Sequence, residues 1–475
     1  MAHESSPDDR AESSDLARGV VEALMARTGE ASPKPRLHAT RRVVELLGDP
    51  QRMFGVIHLA GTNGKTSTAR MIDSLLRAHG LRVGLMTSPH LHVLNERIVI
   101  DGQPISDQAL ADNWADVEPF ITMVDAELVA NAEPPLTYFE ALTVLTLAAF
   151  ADAPVDIAVI EAGMGGEWDS TNVVDADVAV LTPIAMDHAE HLGDTIAEIA
   201  RTKAGIIKPA TRVVCAPQSD EAWAEIVVAC ERDEAPLRVL GRDFHLTSVQ
   251  PAVGGQVIGV EGIAGEYQNL ILPLLGDHQA MNAAVAIAAV ESFLGNGENP
   301  LDRDLVEEAM ALSTSPGRLQ ILGARPTVIA DAAHNPHGAE ALTRALMTSF
   351  SFDRLICVVG ILQEKDVVAV LAHKEQIADV GAILGKNEPP ERLTERRFFG
   401  EFVLNGDAKL ADVLLVYGVS VERFSHEFSL SDCFAKAHHG HPVVGDRLDL
   451  GGIMLVVKAV KGDRVTQVGL KILKK

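Results

Sequence analysis

The chain has few cysteines, few aromatics and no long apolar run. Of its 475 residues only 4 are Cys (Cys215, Cys230, Cys357 and Cys433), scattered without paired spacing. That excludes a disulfide framework and a zinc knuckle, which need closely spaced pairs. The longest apolar run, Ala141–Ala151, is interrupted by threonines and falls short of the ~20 residues a membrane span requires. Positive charge is the minority: 41 Lys and Arg against 66 Asp and Glu, a net of −25. Such a field repels nucleic-acid phosphate and anionic lipid, so neither is an expected partner. The opening residues MAHESSPDDRAESSD are polar and acidic, unlike a signal peptide. A cytoplasmic protein, with residues 1–14 a disordered tail, is expected.

With 47% hydrophobic residues, 38 Gly and 23 Pro, the chain can bury a sizeable core. At ~100–200 residues per domain it should hold two to four domains. Charge divides it unevenly. Lys386–Lys475 carries 14 Lys and Arg against 12 Asp and Glu, whereas residues 1–385 carry 27 against 54. Between the two parts, GKNEPPERLTERRFFGEF reads as a proline-broken connector. Before it, apolar runs alternate with Ala-rich helical stretches. After it come short strand-like runs separated by Gly-Asp turns.

The sharpest motif is GVIHLAGTNGKTS, Gly55–Ser67. A short apolar strand leads into a glycine turn and then a helix with Met71, Ile72, Leu75 and Leu76 on its apolar side. Gly61, Thr62, Asn63 and Gly64 would present backbone N–H groups and the positive helix end to phosphate. Lys65 adds a point charge, and Thr66 or Ser67 a hydroxyl for Mg²⁺. An ordinary Gly turn with a solvated lysine is the weaker reading. VDIAVIEAGMGG ends a second strand in Glu161, which suits a metal-binding carboxylate. DVAVLTPIAMDH brings Asp187 and His188 to a third strand end. Lys203 on a helix would by itself be a solvated lysine, and Asn282 on GDHQAMN a capping residue. Arg318 in SPGRLQ could pair with phosphate through its planar fork. Asp331 and His334 end the strand PTVIADAAHNP.

GTNGKTS, TSPHL with NERI downstream, EAGMGGEWDSTN, MDHAEHLG, KAGI, GDHQAMN, SPGRL and DAAHNP follow one another in one order. Together they resemble the folylpolyglutamate synthase/dihydrofolate synthase family of the Mur ligase superfamily, over roughly Leu16–Val370. The resemblance implies an α/β fold: a P-loop Mur-ligase-like central domain over 15–300 and a truncated Rossmann-like second domain over 301–370. It implies ATP-dependent addition of L-glutamate to a folate or dihydropteroate carboxylate through an acyl phosphate; a monomer is expected, although the sequence itself gives no oligomeric state. By that likeness, residues 61–67, Asn282, Arg318 and Asp331 hold ATP. Lys65, His188, Lys203 and His334 serve catalysis. Thr87, Ser88, Pro89, His90, Phe139 and Asp169 face the pterin or folate. Ser67, Glu161 and His188 bind metal, with two Mg²⁺ ions, and Lys203 carries a carbamate. Glu167 departs from the pattern, since many relatives have Arg or an apolar residue there. The pattern is lost after GILQEKDVV. Beyond a connector at 371–400, residues 401–475 read as a small α+β module. The tail from about Leu371 resembles the transporter-associated (CorC/HlyC-like) domain of NhaP-type potassium/proton antiporters. Two other readings stay open: a UDP-muramoyl Mur ligase, or a non-catalytic nucleotide-binding fusion with a regulatory tail. With a partial second domain, ATP binding is expected near family strength and ligation weak.

Overall fold

The run GVIHLA forms strand β1 (Gly55–Ala60) at the centre of an eight-stranded sheet. The computed structural model describes residues 7–350 apart from 31, 325 and 326, short stretches between 352 and 360, and most of 402–472. The other strands of the sheet are β2 (Val83–Met86), β3 (Ile98–Ile100), β4 (Gln103–Pro104), β5 (Ile157–Glu161), β6 (Val178–Leu181), β7 (Arg212–Cys215) and β8 (Leu237–Val239). They lie in the order β4-β3-β2-β5-β1-β6-β7-β8. Only β3 and β4 pair antiparallel. The parallel strands are apolar at nearly every position because both faces are covered.

Helices α1 (Pro7–Met25) and α2 (His38–Leu46) precede β1, and α3 (Lys65–Ala78) comes after it. Helices α4 (Asp107–Ala130) and α5 (Tyr138–Asp152) separate β4 from β5. After β6 come α6 (Ala189–Leu192) and α7 (Ile196–Ala204), then α8 (Asp220–Arg232) after β7. A three-stranded antiparallel sheet of β9 (His245–Ala252), β10 (Gly255–Glu261) and β11 (Glu266–Leu272) leads to α9 (Asp277–Gly295) and α10 (Arg303–Ala311). The period-2 alternation of a strand divides the core. Ile57, Leu59, Val159 and Val180 pack with Met71, Ile72, Leu75 and Leu76 of α3 and the alanines of α9. Val56, Ala158 and Ile160 pack with α4 and α5, while Ala60, Ala179 and Leu181 pack with α7 and α8.

Glu291 on α9 is fully buried and binds the β10–β11 turn. It accepts from the backbone N–H groups of Ile263 (2.6 Å), Ala264 (3.3 Å) and Gly265 (2.9 Å) and from Tyr267 Oη (2.8 Å). Glu291→Ala leaves those donors without a partner in an apolar surround, so it should lower stability by roughly 3 kcal/mol or more. Chemical denaturation checks this, and a loss below about 1 kcal/mol would show that water replaces the carboxylate.

Three expectations change. Helix α1 begins at Pro7, so Pro7–Ser14 are helical rather than a disordered tail. Proline at the first helical position costs nothing, since its missing N–H would have no partner inside the helix. The second domain opens with a hairpin, β12 (Gln320–Ala324) and β13 (Thr327–Ala330), followed by α11 (Pro336–Ser349). A two-residue connection permits only antiparallel pairing between β12 and β13, so among the described residues the run PTVIADA has an antiparallel neighbour where a parallel one is expected. Nor does the described part of DRLICVVGIL form a strand: Leu355–Val358 are unpaired, with Val358 79% exposed.

The chain separates into two units, Met1–Ala378 and Asp379–Lys475. In the second, β14 (Phe402–Asn405), β15 (Arg447–Asp449), β16 (Ile453–Lys461) and β17 (Arg464–Ile472) form an antiparallel sheet in the order β14-β17-β16-β15. Helix α12 (Leu430–Ala437) adds Leu430 and Phe434 to a core with Leu455, Val457 and Val468. The connector at 371–400 lies outside the described residues.

Candidate active site

The strand order β5-β1-β6 sets three carboxyl ends side by side, where open parallel sheets bind ligands. Leu59 stands opposite Glu161, and Ala60 opposite Leu181, so the loops after these strands share one rim. The first is the glycine turn. Gly61 lies against Thr182, where a Cβ would overlap the hydroxyl, and Gly64, at φ 90°, leads directly into α3. A side chain at Gly64 would lie 2.7 Å from Asn282 Oδ1, so the turn and α9 meet here only because the residue is glycine.

Two lysines converge on one acceptor. Lys65 Nζ donates to the Gly61 carbonyl at 3.0 Å and Lys203 Nζ to the same oxygen at 2.9 Å. Lys203 is therefore buried on α7, not solvated. Burial, reinforced by Lys65, pushes its ammonium down to about 7. Burial also lowers Lys65, with Glu161 and Asp187 pulling the other way.

Glu161 is 2% exposed, and burial raises its carboxyl against the opposing pull of Lys65 and Thr66. Thr66 Oγ1 donates to both its oxygens at 3.0 and 2.9 Å, and the Ser88 N–H lies 3.3 Å from one of them. Ser67, expected as a metal ligand, lines the same site, but its hydroxyl has other partners. Its hydroxyl meets Ser315 Oγ at 2.8 Å and accepts from Gln279 Nε2 at 3.3 Å. Successive helical residues point about 100° apart, so when Thr66 faces β5, Ser67 faces α9.

The third strand end carries Asp187 and His188, the latter at φ 52° before α6. Across from them, the turn after β13 reaches over. Asn335 exchanges amide hydrogen bonds with Asn63 at 3.2 and 3.1 Å and donates to Asp187 Oδ2 at 3.0 Å. His334 Nε2 lies 3.4 Å from the same oxygen, and His337 Nδ1 is 2.9 Å from Asn63 Nδ2. Asn335 Oδ1 also caps α11 through the Gly338 N–H, at 2.8 Å. Asn335→Asp keeps that cap but sets a carboxylate against Asp187. It should lower kcat/KM by about 100-fold, since a misplacement of ~1 Å costs this much, with little change in melting temperature. Steady-state kinetics beside a thermal melt test it, and unchanged kinetics would show the clasp to be incidental.

These groups border one cavity of about 1370 Å³, larger than the ~300–1,000 Å³ of a single small-molecule site. Lys65, Ser88, Pro89, Phe139, Glu161 and Asp169 line it, as do Asp187, His188, Lys203, Asn282, Arg318, Asp331 and His334. Two carboxylates there are occupied in shaping the walls. Asp169 accepts from the backbone N–H groups of Thr171 (3.0 Å) and Met164 (2.8 Å), and Asp331 from those of Leu319 (2.9 Å) and Ala333 (2.8 Å). Thr87 and His90 do not reach the cavity. Arg97 holds both, its carbonyl accepting from the Thr87 N–H and its Nε donating to His90 Nδ1. Glu167 is exposed and outside the lining, whereas the neighbouring Trp168 is part of it. Among the described residues no three His, Cys, Asp or Glu side chains gather as a metal site. Asn335, inside the DAAHNP motif, is legible in the sequence as a candidate. Trp168, in EAGMGGEWDSTN, and His278 and Gln279, in GDHQAMN, lie within reach of the same motifs without being singled out, whereas Arg36 has no motif to mark it.

Two family models match the chain: the Mur ligase middle domain over residues 59–290, and the Mur ligase glutamate ligase domain over 317–465. The second runs through the region where the motif pattern was expected to end near 370, and no match supports the likeness of the tail to a transporter-associated domain. The dihydrofolate synthase/folylpolyglutamate synthase of Mycobacterium tuberculosis is 44% identical over 380 residues, 78% of each chain. The folylpolyglutamate synthase of Lacticaseibacillus casei is 38% identical, over 71% of this chain and 79% of its own. Among solved structures, Mycobacterium tuberculosis folylpolyglutamate synthase complexed with ADP superposes with a TM-score of 0.74, covering 77% of this chain and 81% of that one, at 44% identity. An FPGS–AMPPCP–folate complex gives 0.69, over 76% and 87%, at 36% identity. By these matches the chain belongs to the folylpolyglutamate synthase/dihydrofolate synthase family of Mur ligases.

Proposed function

We propose that this cavity joins L-glutamate to a folate or dihydropteroate carboxylate, using ATP. The observation that carries the reading is the convergence of Lys65, Glu161, Asp187 and Lys203 at three adjacent strand ends, in a cavity large enough for a nucleotide and a second substrate. The relative solved with AMPPCP and folate supports it. A carboxylate resists attack by an amine because it has no adequate leaving group. Its oxygen attacks the γ-phosphorus, the Pγ–O bond to ADP breaks, and an acyl phosphate forms. The amine of glutamate, having lost a proton, attacks the acyl carbon, and phosphate departs. Lys65, and Arg318 from the opposite wall, oppose the charge that develops on phosphate.

Glu161, with the Thr66 hydroxyl at 2.9 Å, offers hard oxygen donors that suit Mg²⁺, and His188 lines the same cavity. When bound, Mg²⁺ neutralises charge on the β- and γ-phosphates. Ser67 is left out of this set, since its hydroxyl is committed to Ser315 and Gln279. Lys203 supports the carbamate reading, because an amine that deprotonates near 7 is partly neutral at physiological pH. The ammonium first gives up one proton; the neutral nitrogen then adds to CO₂ and loses a second, leaving an anionic carbamate. A cytoplasmic monomer completes the proposal. The test is ATP binding and amide-bond formation measured on one preparation, with dihydropteroate or tetrahydrofolate plus glutamate. ATP binding with no amide formed would leave a nucleotide-binding protein and overturn the ligase reading.

A further inference from the structure

We infer that Arg97 is a positioning residue for the acceptor substrate, joining three segments that line the cavity. The inference rests on the ligase reading above. Arg97 is 3% exposed, an unusual place for a guanidinium, and all three of its nitrogens and one of its faces are used. Nη1 and Nη2 grip the Glu30 carboxylate, the latter at 3.2 Å, and Nε donates to His90 Nδ1 at 2.8 Å. The guanidinium carbon stands 5.4 Å from the centre of the Tyr138 ring, a cation–π contact. Its carbonyl accepts from the Thr87 N–H at 3.2 Å.

None of these partners is near another in sequence, apart from Thr87 and His90, yet each is in or next to the cavity lining. Glu30 lines it directly, from the loop between α1 and α2. His90 adjoins Ser88 and Pro89, which line it, and Tyr138 precedes Phe139, which does too. Ser88 in turn donates its N–H toward Glu161. A second bond closes the ring, from the Tyr138 N–H to the Thr28 carbonyl at 2.9 Å. Arg97 also fixes the tautomer of His90. A guanidinium only donates, so His90 Nδ1 must accept and the proton sits on Nε2. The walls it sets, Pro89 and Phe139, are flat and apolar, which suits an aromatic ring more than a phosphate.

Lysine retains the charge of Arg97 but cannot fork to Glu30 and His90 together. Arg97→Lys should therefore raise KM for tetrahydrofolate or dihydropteroate by roughly 10- to 100-fold, leaving kcat and the KM for ATP within about 2-fold. Glu30→Gln, on the more exposed partner, carries little folding risk and should shift the acceptor KM in the same direction. Steady-state kinetics with each substrate varied in turn reads both. If KM values for ATP, glutamate and acceptor rise together, or the acceptor KM does not move in either variant, Arg97 is only a structural ion pair. Absence of folate-dependent ADP release by the unaltered chain would instead overturn the ligase reading, and this inference with it.

Discussion

Replacing Lys65 by alanine should cut ligation by about 1,000-fold while the melting temperature stays within a few degrees. The ammonium sits at the first position of α3 and turns back to the Gly61 carbonyl at 3.0 Å. A nucleotide offers it phosphate oxygens, which carry full negative charge where the carbonyl carries a partial one. No neutral side chain replaces that attraction in a site shielded from water. The fold should tolerate the change, because the apolar positions of the helix are Met71, Ile72, Leu75 and Leu76 and its start is set by Gly64. ADP release and thermal melting on the same sample decide the matter. Near-normal turnover would refute the phosphate assignment.

Lys203→Ala should reduce ligation by at least about 100-fold, and short carboxylic acids should restore part of it if the lysine carries a carbamate. The unaltered enzyme should then lose activity when CO₂ is removed and regain it with bicarbonate. Recovery should improve as pH rises through about 7, where the buried amine becomes neutral and able to add CO₂. The stability effect has a definite sign. The folded amine gives up its proton near 7 and the unfolded one at 10.5, so between these values the unfolded chain binds more protons. The lysine's contribution to stability therefore rises with pH across that window and is least below 7. A variant indifferent to CO₂ and to added acids would leave Lys203 as a donor to Gly61 and nothing more.

Much of the site is legible in the sequence because parallel strands advertise themselves. GVIHLA, DIAVIE and DVAVL are apolar nearly throughout, and the residues just beyond each strand fall on the ligand-binding rim of the sheet. Lys65, Glu161, Asp187 and His188 emerge from that alone. The resemblance adds Lys203, Asn282 and Arg318, whose spacing carries no such signal. The remainder depends on angle or distance in three dimensions. Thr66 and Ser67 are equivalent as letters, and only the phase of α3 sends one to Glu161 and the other to Ser315. Asp169 and Asp331 read as ligand contacts, but nearby backbone N–H groups already take their oxygens. Arg97 belongs to the NERI segment, yet its partners lie far off in sequence at Glu30 and Tyr138. The hairpin that opens the second domain is missed because strand-forming runs suggest parallel pairing, although residues 325 and 326 are too few for a crossover.

The loop preceding α3 is also a gear setting. Three consecutive side chains at the start of one helix serve three different neighbours: Lys65 the Gly61 carbonyl, Thr66 the acid of β5, and Ser67 the α9 side. Each is selected by rotation about the helix axis, roughly 100° per residue. Adding or deleting a residue between Gly61 and Lys65 would thus exchange their duties without altering a single chemical group. The short spacing of GTNGKTS is in this sense a timing element. It constrains loop length more tightly than loop composition, and it explains how a glycine turn shorter than the common G-x-x-x-x-G-K-[ST] form can still bring its lysine to the phosphates.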